Sequence, residues 1–234
     1  MHQGSPAIGT LRLLSWNVWK LLGDPLAVHR VLRAAEPDLV CLQEAPALLW
    51  STRQLSGLAR ASGLHLVTGG RSAAGNALLR SSRVQVLEAE AIRFRPVNWR
   101  IQRRGAVLAT LGLAGAPPLR LAGVHLGLDP AERQMHAQEL RDRLSADRPV
   151  VVAGDLNELP GGPSWQVLAG VATDPAAGAA ATFTVARPRK RIDAVLTGPG
   201  IEVIEYGQWQ PEPRDAAAAS DHLPVLAVIS PTGR

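Results

Sequence analysis

Short apolar runs alternate along this chain with amphipathic stretches of helical period, and turn residues punctuate both. Leu11–Val18 reads as a mostly apolar strand with Asn17 near its end, and Leu39–Gln43 as a second that closes on Glu44. Between them Asp24-Pro25 supplies a helix cap followed by a proline at the first helical position, and Val28, Val31, Leu32 and Ala35 share one helix face. Glu36-Pro37-Asp38 ends that helix, and Pro46 starts another that runs to about Ala61. A short strand His65–Thr68, a loop from Gly69 to Gly75 and the apolar run after Asn76 come next, then strands Val84–Ile92, Gly105–Leu113 and Leu119–Leu126. Asp129-Pro130 repeats the cap-plus-proline start, for a helix reaching about Ser145 with Leu140 and Leu144 inward. Val150–Ala153 is β-branched enough to predict a strand buried on both faces. Gly161-Gly162-Pro163 leads a short helix through Leu168, and the alanine-rich stretch Ala172–Ala181 predicts a mobile loop. Strands Arg191–Leu196, Ile201–Trp209 and Leu223–Ile229 complete the chain, with Pro211–Ala219 as an alanine-rich loop. Strands in two clusters, with helices in each half, suit two packed sheets covered by helices on the outside.

Composition narrows this picture. With 234 residues, 46% of them apolar, and no linker separating two patterns, the expectation is one domain over residues 1–234, with 1–10 a flexible N-terminus. No apolar run is long enough to cross a bilayer, and Met1–Thr10 lacks a basic region followed by an apolar one. A cytoplasmic monomer without stable membrane insertion or an implied protein partner is therefore expected. The single cysteine, Cys41, excludes an internal disulfide and a cysteine-based zinc site, and its apolar neighbours predict an inert core thiol. The net charge of +5 rests on arginine, since Lys20 and Lys190 are the only lysines among 25 basic residues. That balance is compatible with a polyanionic partner, and equally with a compositional bias toward Arg, Ala, Gly and Pro. Arg93, Arg95, Arg100, Arg103 and Arg104, interleaved with Trp99, either contact a nucleic-acid backbone or form a solvated hairpin tip.

The chemistry concentrates where strands end. Asn17, Glu44, Asn76, His125, Asp155, Asn157, Asp193, Asp221 and His222 all stand at or beside such ends. Taken singly each has a plain explanation: Gly154-Asp155-Leu156-Asn157 is also turn chemistry, and Glu44 also suits a helix N-terminus. Together, carboxylates and amides without cysteine favour a hard cation such as Mg²⁺, Mn²⁺ or Ca²⁺ over zinc. Two histidines add groups that titrate near neutral pH. Phosphodiester hydrolysis needs such a set, with neutralised phosphate oxygens, an activated water and a stabilised leaving oxygen. His29 and His136 fall on helices and read as surface or packing residues. Trp16 and Trp19 flank Asn17 and read as core, with cleft lining the alternative for Trp19.

These pieces resemble, in order, the endonuclease/exonuclease/phosphatase (DNase I-like) superfamily: Ser15-Trp16-Asn17-Val18, Leu42-Gln43-Glu44, Gly75-Asn76-Ala77-Leu78-Leu79, Val124-His125-Leu126, Gly154-Asp155-Leu156-Asn157, Arg191-Ile192-Asp193 and Ser220-Asp221-His222-Leu223-Pro224-Val225. The resemblance implies a four-layer α/β/β/α sandwich, two mixed and mostly antiparallel sheets face to face with helices outside, and a site at one end of both sheets. It implies Mg²⁺ as cofactor, with Mn²⁺ or Ca²⁺ as substitutes, held by Glu44 with Asn17 and Asp221. It makes His222 the phosphate-contacting or basic histidine oriented by Asp193, and gives Asp155 and Asn157 the attacking water and the phosphate. His125 matches a general-acid histidine, although no acidic partner for it stands out, and Asn76 and Arg191 match supporting positions. The implied activity is a metal-dependent phosphodiesterase, most simply a nuclease. The alternative is a phosphatase or phosphodiesterase on a small-molecule or lipid-linked phosphate. No long, apolar, aromatic-tipped hairpin stands out, which argues against a membrane sphingolipid.

Overall fold

The computed structural model describes residues 9–96, 103–144 and 148–232. The expected flexible start before residue 9, the helix end at Ser145, and Trp99 and Arg100 of the arginine-rich segment lie outside them. Among the described residues, eleven strands form two mixed sheets. The six-stranded sheet runs β10 (Ile201–Gln208), β11 (Val225–Pro231), β1 (Leu11–Asn17), β2 (Leu39–Gln43), β4 (Asn76–Arg80), β3 (His65–Gly70). The five-stranded sheet runs β5 (Val84–Arg93), β6 (Gly105–Leu113), β7 (Ala116–His125), β8 (Val150–Asp155), β9 (Asp193–Thr197). Among the described residues, β1–β2 and β7–β8 pair in parallel and the other neighbours antiparallel.

The layers follow from the two-residue period of a strand. On β1 and β2, Leu11, Leu13, Leu39 and Cys41 face the other sheet, where they meet Val107, Leu121, Val151 and Val195. Their alternates Leu14, Trp16, Val40 and Leu42 face outward onto α1 (Pro25–Ala35) and α2 (Ser51–Ala61). The five-stranded sheet is covered in the same way, with Val124, Val152 and Leu196 under Leu140 of α3 (Pro130–Arg143) and Trp165 and Leu168 of α4 (Pro163–Leu168). The result is the expected four-layer α/β/β/α sandwich, and strands buried on both faces account for the nearly unbroken apolar runs. Asp24 and Asp129 cap α1 and α3 through their side chains, with Pro25 and Pro130 directly behind. Burial pushes the Cys41 thiol up to about 12, in keeping with an inert core cysteine.

Two close approaches fix the spacing of the strands that carry polar ends. Gly123 leaves room for Cys41 of the facing sheet, whose sulfur would lie 3.0 Å from a Cβ there. A Cβ on Gly154 would lie 1.9 Å from the Val124 carbonyl oxygen, so β7 and β8 can pair only around glycine. Gly154→Ala is expected to destabilise the protein by about 1–3 kcal/mol or more, because rigid backbone has to move. Thermal unfolding measures this, and an unchanged melting temperature would contradict the close pairing.

The structure departs from the sequence pattern in several places. Pro211–Ala219 is not a loop throughout, since α5 (Pro213–Ala219) starts with proline at its first turn and continues through alanine, the strongest helix former. α2 starts at Ser51, several residues after Pro46, leaving Leu48, Leu49 and Trp50 exposed at 81, 78 and 71%. The Ser51 hydroxyl turns inward to accept from the Arg71 N–H, which fixes where the helix begins. The alanine-rich stretch after Ala172 is irregular but anchored: Thr173 pairs with Thr197, and Asp174 takes a bidentate contact from Arg191 at 2.6 and 2.8 Å.

Candidate active site

Strand register brings the polar ends together. β7 and β8 set His125 beside Asp155, and β8 and β9 set Asp155 beside Asp193, so three strands contribute a row at one level. At the same end of the facing sheet, Asn17 of β1 sits in register with Gln43 of β2, and Glu44 is the next residue. A three-residue turn at Trp19, Lys20 and Leu21, with φ of 45, 58 and 56°, follows Asn17. These are left-handed conformations that side-chain-bearing residues rarely adopt in succession. The turn ties the two strand ends together, since the Trp19 N–H donates to Asn17 Oδ1 at 3.0 Å and the Lys20 N–H to the Glu44 carbonyl at 2.7 Å. Trp16 is buried core as expected, whereas the left-handed turn leaves Trp19 43% exposed.

Asp155 is the hub. Its Oδ2 accepts from Asn17 Nδ2 at 3.0 Å, across the two sheets, and its Oδ1 accepts from the Asn157 backbone N–H at 2.9 Å. Asn157 adopts a left-handed φ of 51°, which an asparagine tolerates, and its Nδ2 donates to the Leu126 carbonyl. Gly154-Asp155-Leu156-Asn157 is thus a turn by backbone and a contact network by side chain.

His222 precedes β11 and is held from every side. Its Nδ1 donates to Asp193 Oδ2 at 2.9 Å, and Thr182 Oγ1 donates to the same oxygen at 2.6 Å. Ser220 Oγ accepts from the His222 N–H and donates to the Asn17 carbonyl at 2.7 Å, while Trp16 Nε1 donates to the His222 carbonyl at 2.9 Å. The free ring edge, Nε2, faces Asp155 Oδ2 at 3.9 Å. Burial works against a charged imidazole here. Asp193, by charge and hydrogen bond, outweighs it, with help from Asp155 and Asp221, and raises His222 to about 9. Burial and the neighbouring Asp193 raise the carboxyl of Asp155, against His222 and the hydrogen bonds from Asn17 and Asn157.

His125 closes β7. Where an acidic partner would orient a general acid, Arg104 NH1 stands 3.1 Å from Nδ1. Its Nε2 lies 3.3 Å from Asp155 Oδ2 and 2.9 Å from Asn157 Nδ2. A guanidinium can only donate, so the Nδ1 facing it carries the lone pair, while Nε2 meets the Asn157 amide and lies beside the Asp155 carboxylate. Burial first, then Arg104, pushes the imidazolium well below the usual range, so His125 is neutral. Arg104 itself is 4% exposed, and it balances the charges of Asp155, Glu44 and Glu132. It is neither a backbone-gripping arginine nor part of a solvated tip.

The remaining candidates are distributed as follows. Glu44 is half-buried at a φ of 47° and makes no side-chain hydrogen bond or ion pair among the described residues, facing Arg104 only electrostatically. Asp221 is half-buried next to His222, and its carbonyl accepts from the Val185 N–H. Asn76 is a stitch between sheets, its Nδ2 donating to the Ala73 and Gly105 carbonyls. Arg191 directs its guanidinium at Asp174 and the Tyr206 hydroxyl, and lies 5.5 Å from the Trp165 ring, so it anchors a loop while its chain neighbours place Asp193. Among the described residues, the carboxylate and imidazole groups that converge within 4.8 Å are those of Asp155, Asp193 and His222. Glu44 and Asp221 stand outside that group.

A hard divalent cation fits these donors. The residues at this end of both sheets offer oxygens and imidazole without thiolate, and the half-buried Glu44 carboxylate, outside the Asp155–Asp193–His222 group, is unclaimed by any protein donor among the described residues. The sequence offered Arg104 only as a nucleic-acid contact or part of a solvated tip and Ser220 only as a member of a motif, and the Thr182 hydroxyl carries no local signal until the chain folds.

The sequence model of the "Endonuclease/Exonuclease/phosphatase family" matches residues 14–222. No curated protein matches the chain. Among solved structures, an endonuclease/exonuclease/phosphatase from Bacteroides vulgatus superposes with a TM-score of 0.76 at 20% identity, over 94% of this chain and 98% of that one. A mannosyl-6-phosphatase of Bacteroides thetaiotaomicron VPI-5482 gives 0.76 at 17%, over 94 and 99%. TDP2 of D. rerio, complexed with single strand DNA product, gives 0.71 at 21%, again over 94 and 99%. At such identities these structures share the fold with this chain.

Proposed function

This chain belongs to the endonuclease/exonuclease/phosphatase family, as the match over residues 14–222 shows, and from that premise we propose a divalent-metal-dependent hydrolase of phosphoester bonds, a phosphodiesterase of the nuclease type. One observation carries the reading. His222, backed by Asp193, presents Nε2 toward Asp155 at the common end of both sheets, and Asn17 joins Asp155 from the opposite sheet.

Asn17, Glu44 and Asp221 would hold the ion. When bound, it would neutralise phosphate oxygens and favour departure of the leaving oxygen. The protein groups do the rest. Asp155, fixed through both carboxylate oxygens, accepts the proton of the attacking water. His222, locked by Asp193 and Thr182, directs an Nε2–H at the phosphoryl group and stabilises its developing charge. Asn157 borders the same space and positions the phosphate. His125, neutral and set between Arg104 and the Asp155 carboxylate, positions that carboxylate, a role different from the general acid suggested by the resemblance. Asn76 and Arg191 support from behind.

Incubating the protein with plasmid DNA, single-stranded DNA, RNA, inositol phosphates and sphingomyelin vesicles, each with Mg²⁺ and with EDTA, tests the proposal. Mg²⁺-dependent cleavage of a polynucleotide is expected. If no polynucleotide is cleaved, the nuclease reading fails. A second reading, a lipid-linked phosphate, is favoured by the exposed Leu48-Leu49-Trp50 tip a few residues beyond Glu44, since an apolar, tryptophan-bearing tip suits a membrane interface. In that case the vesicle arm alone is active, and Leu49→Ala with Trp50→Ala lowers it.

A further inference from the structure

The segment between Thr182 and Arg191 folds into a tight turn built onto the site. Phe183 pairs with Lys190 on one side and with His222 on the other. The Arg189 and Lys190 N–H groups both donate to the Phe183 carbonyl, the Arg187 N–H donates to that of Thr184, and the Val185 N–H donates to that of Asp221. This turn lines a pocket of ≈ 330 Å³ with Phe183, Thr184, Arg187, Arg189 and Lys190. Phe183 belongs to both sites, because its ring also lies 4.7 Å from the His222 imidazole.

The charge of this pocket is unbalanced. Arg187, Arg189 and Lys190 are exposed, and none makes an ion pair among the described residues. Most other arginines near the cleft are engaged: Arg191 with Asp174, Arg133 with Glu158, and Arg104 with His125. A charge run on a convex surface is ordinarily a solvated face. Three cations around an open depression, one aromatic ring away from the phosphoryl-facing histidine, form a different object. Guanidinium groups match phosphate in fork geometry, and the ammonium adds a mobile point charge.

We propose that this pocket binds a second phosphate group of the substrate, adjacent to the phosphoester that is cleaved. The assignment rests on the phosphoester reading above and deepens it: the substrate carries at least two phosphates, as a nucleic-acid strand or a bisphosphorylated small molecule does. A monophosphate leaves the three cations unused.

Binding in EDTA separates this from catalysis. Thymidine 3′,5′-bisphosphate is compared with thymidine 5′-monophosphate, and fructose 1,6-bisphosphate with fructose 6-phosphate, by calorimetric titration of wild type and of R187A/R189A/K190A. Wild type is expected to bind the bisphosphate on the order of tenfold more tightly, about 1.4 kcal/mol. The triple variant should lose that gain, keep monophosphate binding, and melt as wild type does, since the three side chains are exposed. A gain confined to the nucleotide pair assigns the pocket to a strand, and a gain in both pairs assigns it to phosphate alone. Equal binding of mono- and bisphosphate by wild type, or a gain that survives in the triple variant, overturns the proposal. Hydrolysis in Mg²⁺ is followed in parallel. Cleavage without the bisphosphate gain removes only the pocket, whereas the gain without any cleavage removes the phosphoesterase reading.

Discussion

His222→Ala is expected to lower kcat by about 10²–10⁴-fold, the range associated with a positioned proton-transfer or charge-stabilising side chain. The fold should survive, because the interactions that anchor this segment are made by its backbone: the His222 carbonyl to Trp16 Nε1 and its N–H to Ser220 Oγ. Asp193 keeps its hydrogen bond from Thr182 and so stays partly compensated. Asp193→Asn is the informative companion. It retains a group at Nδ1 but removes the charge that keeps the imidazole protonated, so the rate should fall while substrate affinity changes less. Steady-state kinetics on the best substrate of the panel, with circular dichroism as a control, measures both. Full activity in His222→Ala would place the chemistry elsewhere.

Glu44→Gln should be comparably severe, by another route. The substitution preserves shape at a left-handed residue, where a change of backbone preference would confuse the result. It removes a carboxylate that no protein donor satisfies among the described residues, while Arg104 opposite it keeps Asp155 and Glu132 as counter-charges. Losing several kcal/mol of charge stabilisation corresponds to roughly 10²–10³-fold in rate. The decisive readout is the Mg²⁺ dependence. The concentration for half-maximal activity should rise at least tenfold, and an unchanged activation curve with a lowered rate would remove Glu44 from the ion's donors.

Much of this protein was legible along the chain. Apolar runs fixed the strands because both faces of each sheet are covered, and Asp-Pro fixed two helix starts because cap and proline act within one turn. The polar strand ends were visible for the same local reason: Asn17, His125, Asp155 and Asp193 interrupt runs that have no other use for them. What misled was also local. The alanine-rich stretch Pro211–Ala219 read as a loop where alanine propensity makes a helix, and Arg104, alone among the described arginines of its run, is buried, because the strands around it come from elsewhere in the chain.

The order of residues fixes which strands form, that polar side chains stand at their ends, and that the candidate donors are oxygen and imidazole. Tertiary structure decided the partnerships. Asn17 reaches Asp155 across 138 residues, and Trp16 reaches the His222 carbonyl across 206, because two sheets pack face to face at a common end. Arg104 takes the place of an acid at His125 Nδ1 for the same physical reason, whereas the cations of the Thr182–Arg191 turn are neighbours in sequence, and packing only brings their turn beside His222. Register within a strand is a short-range property that side-chain alternation encodes. The pairing of charges between strands depends on distances that exist only after the sheets have closed.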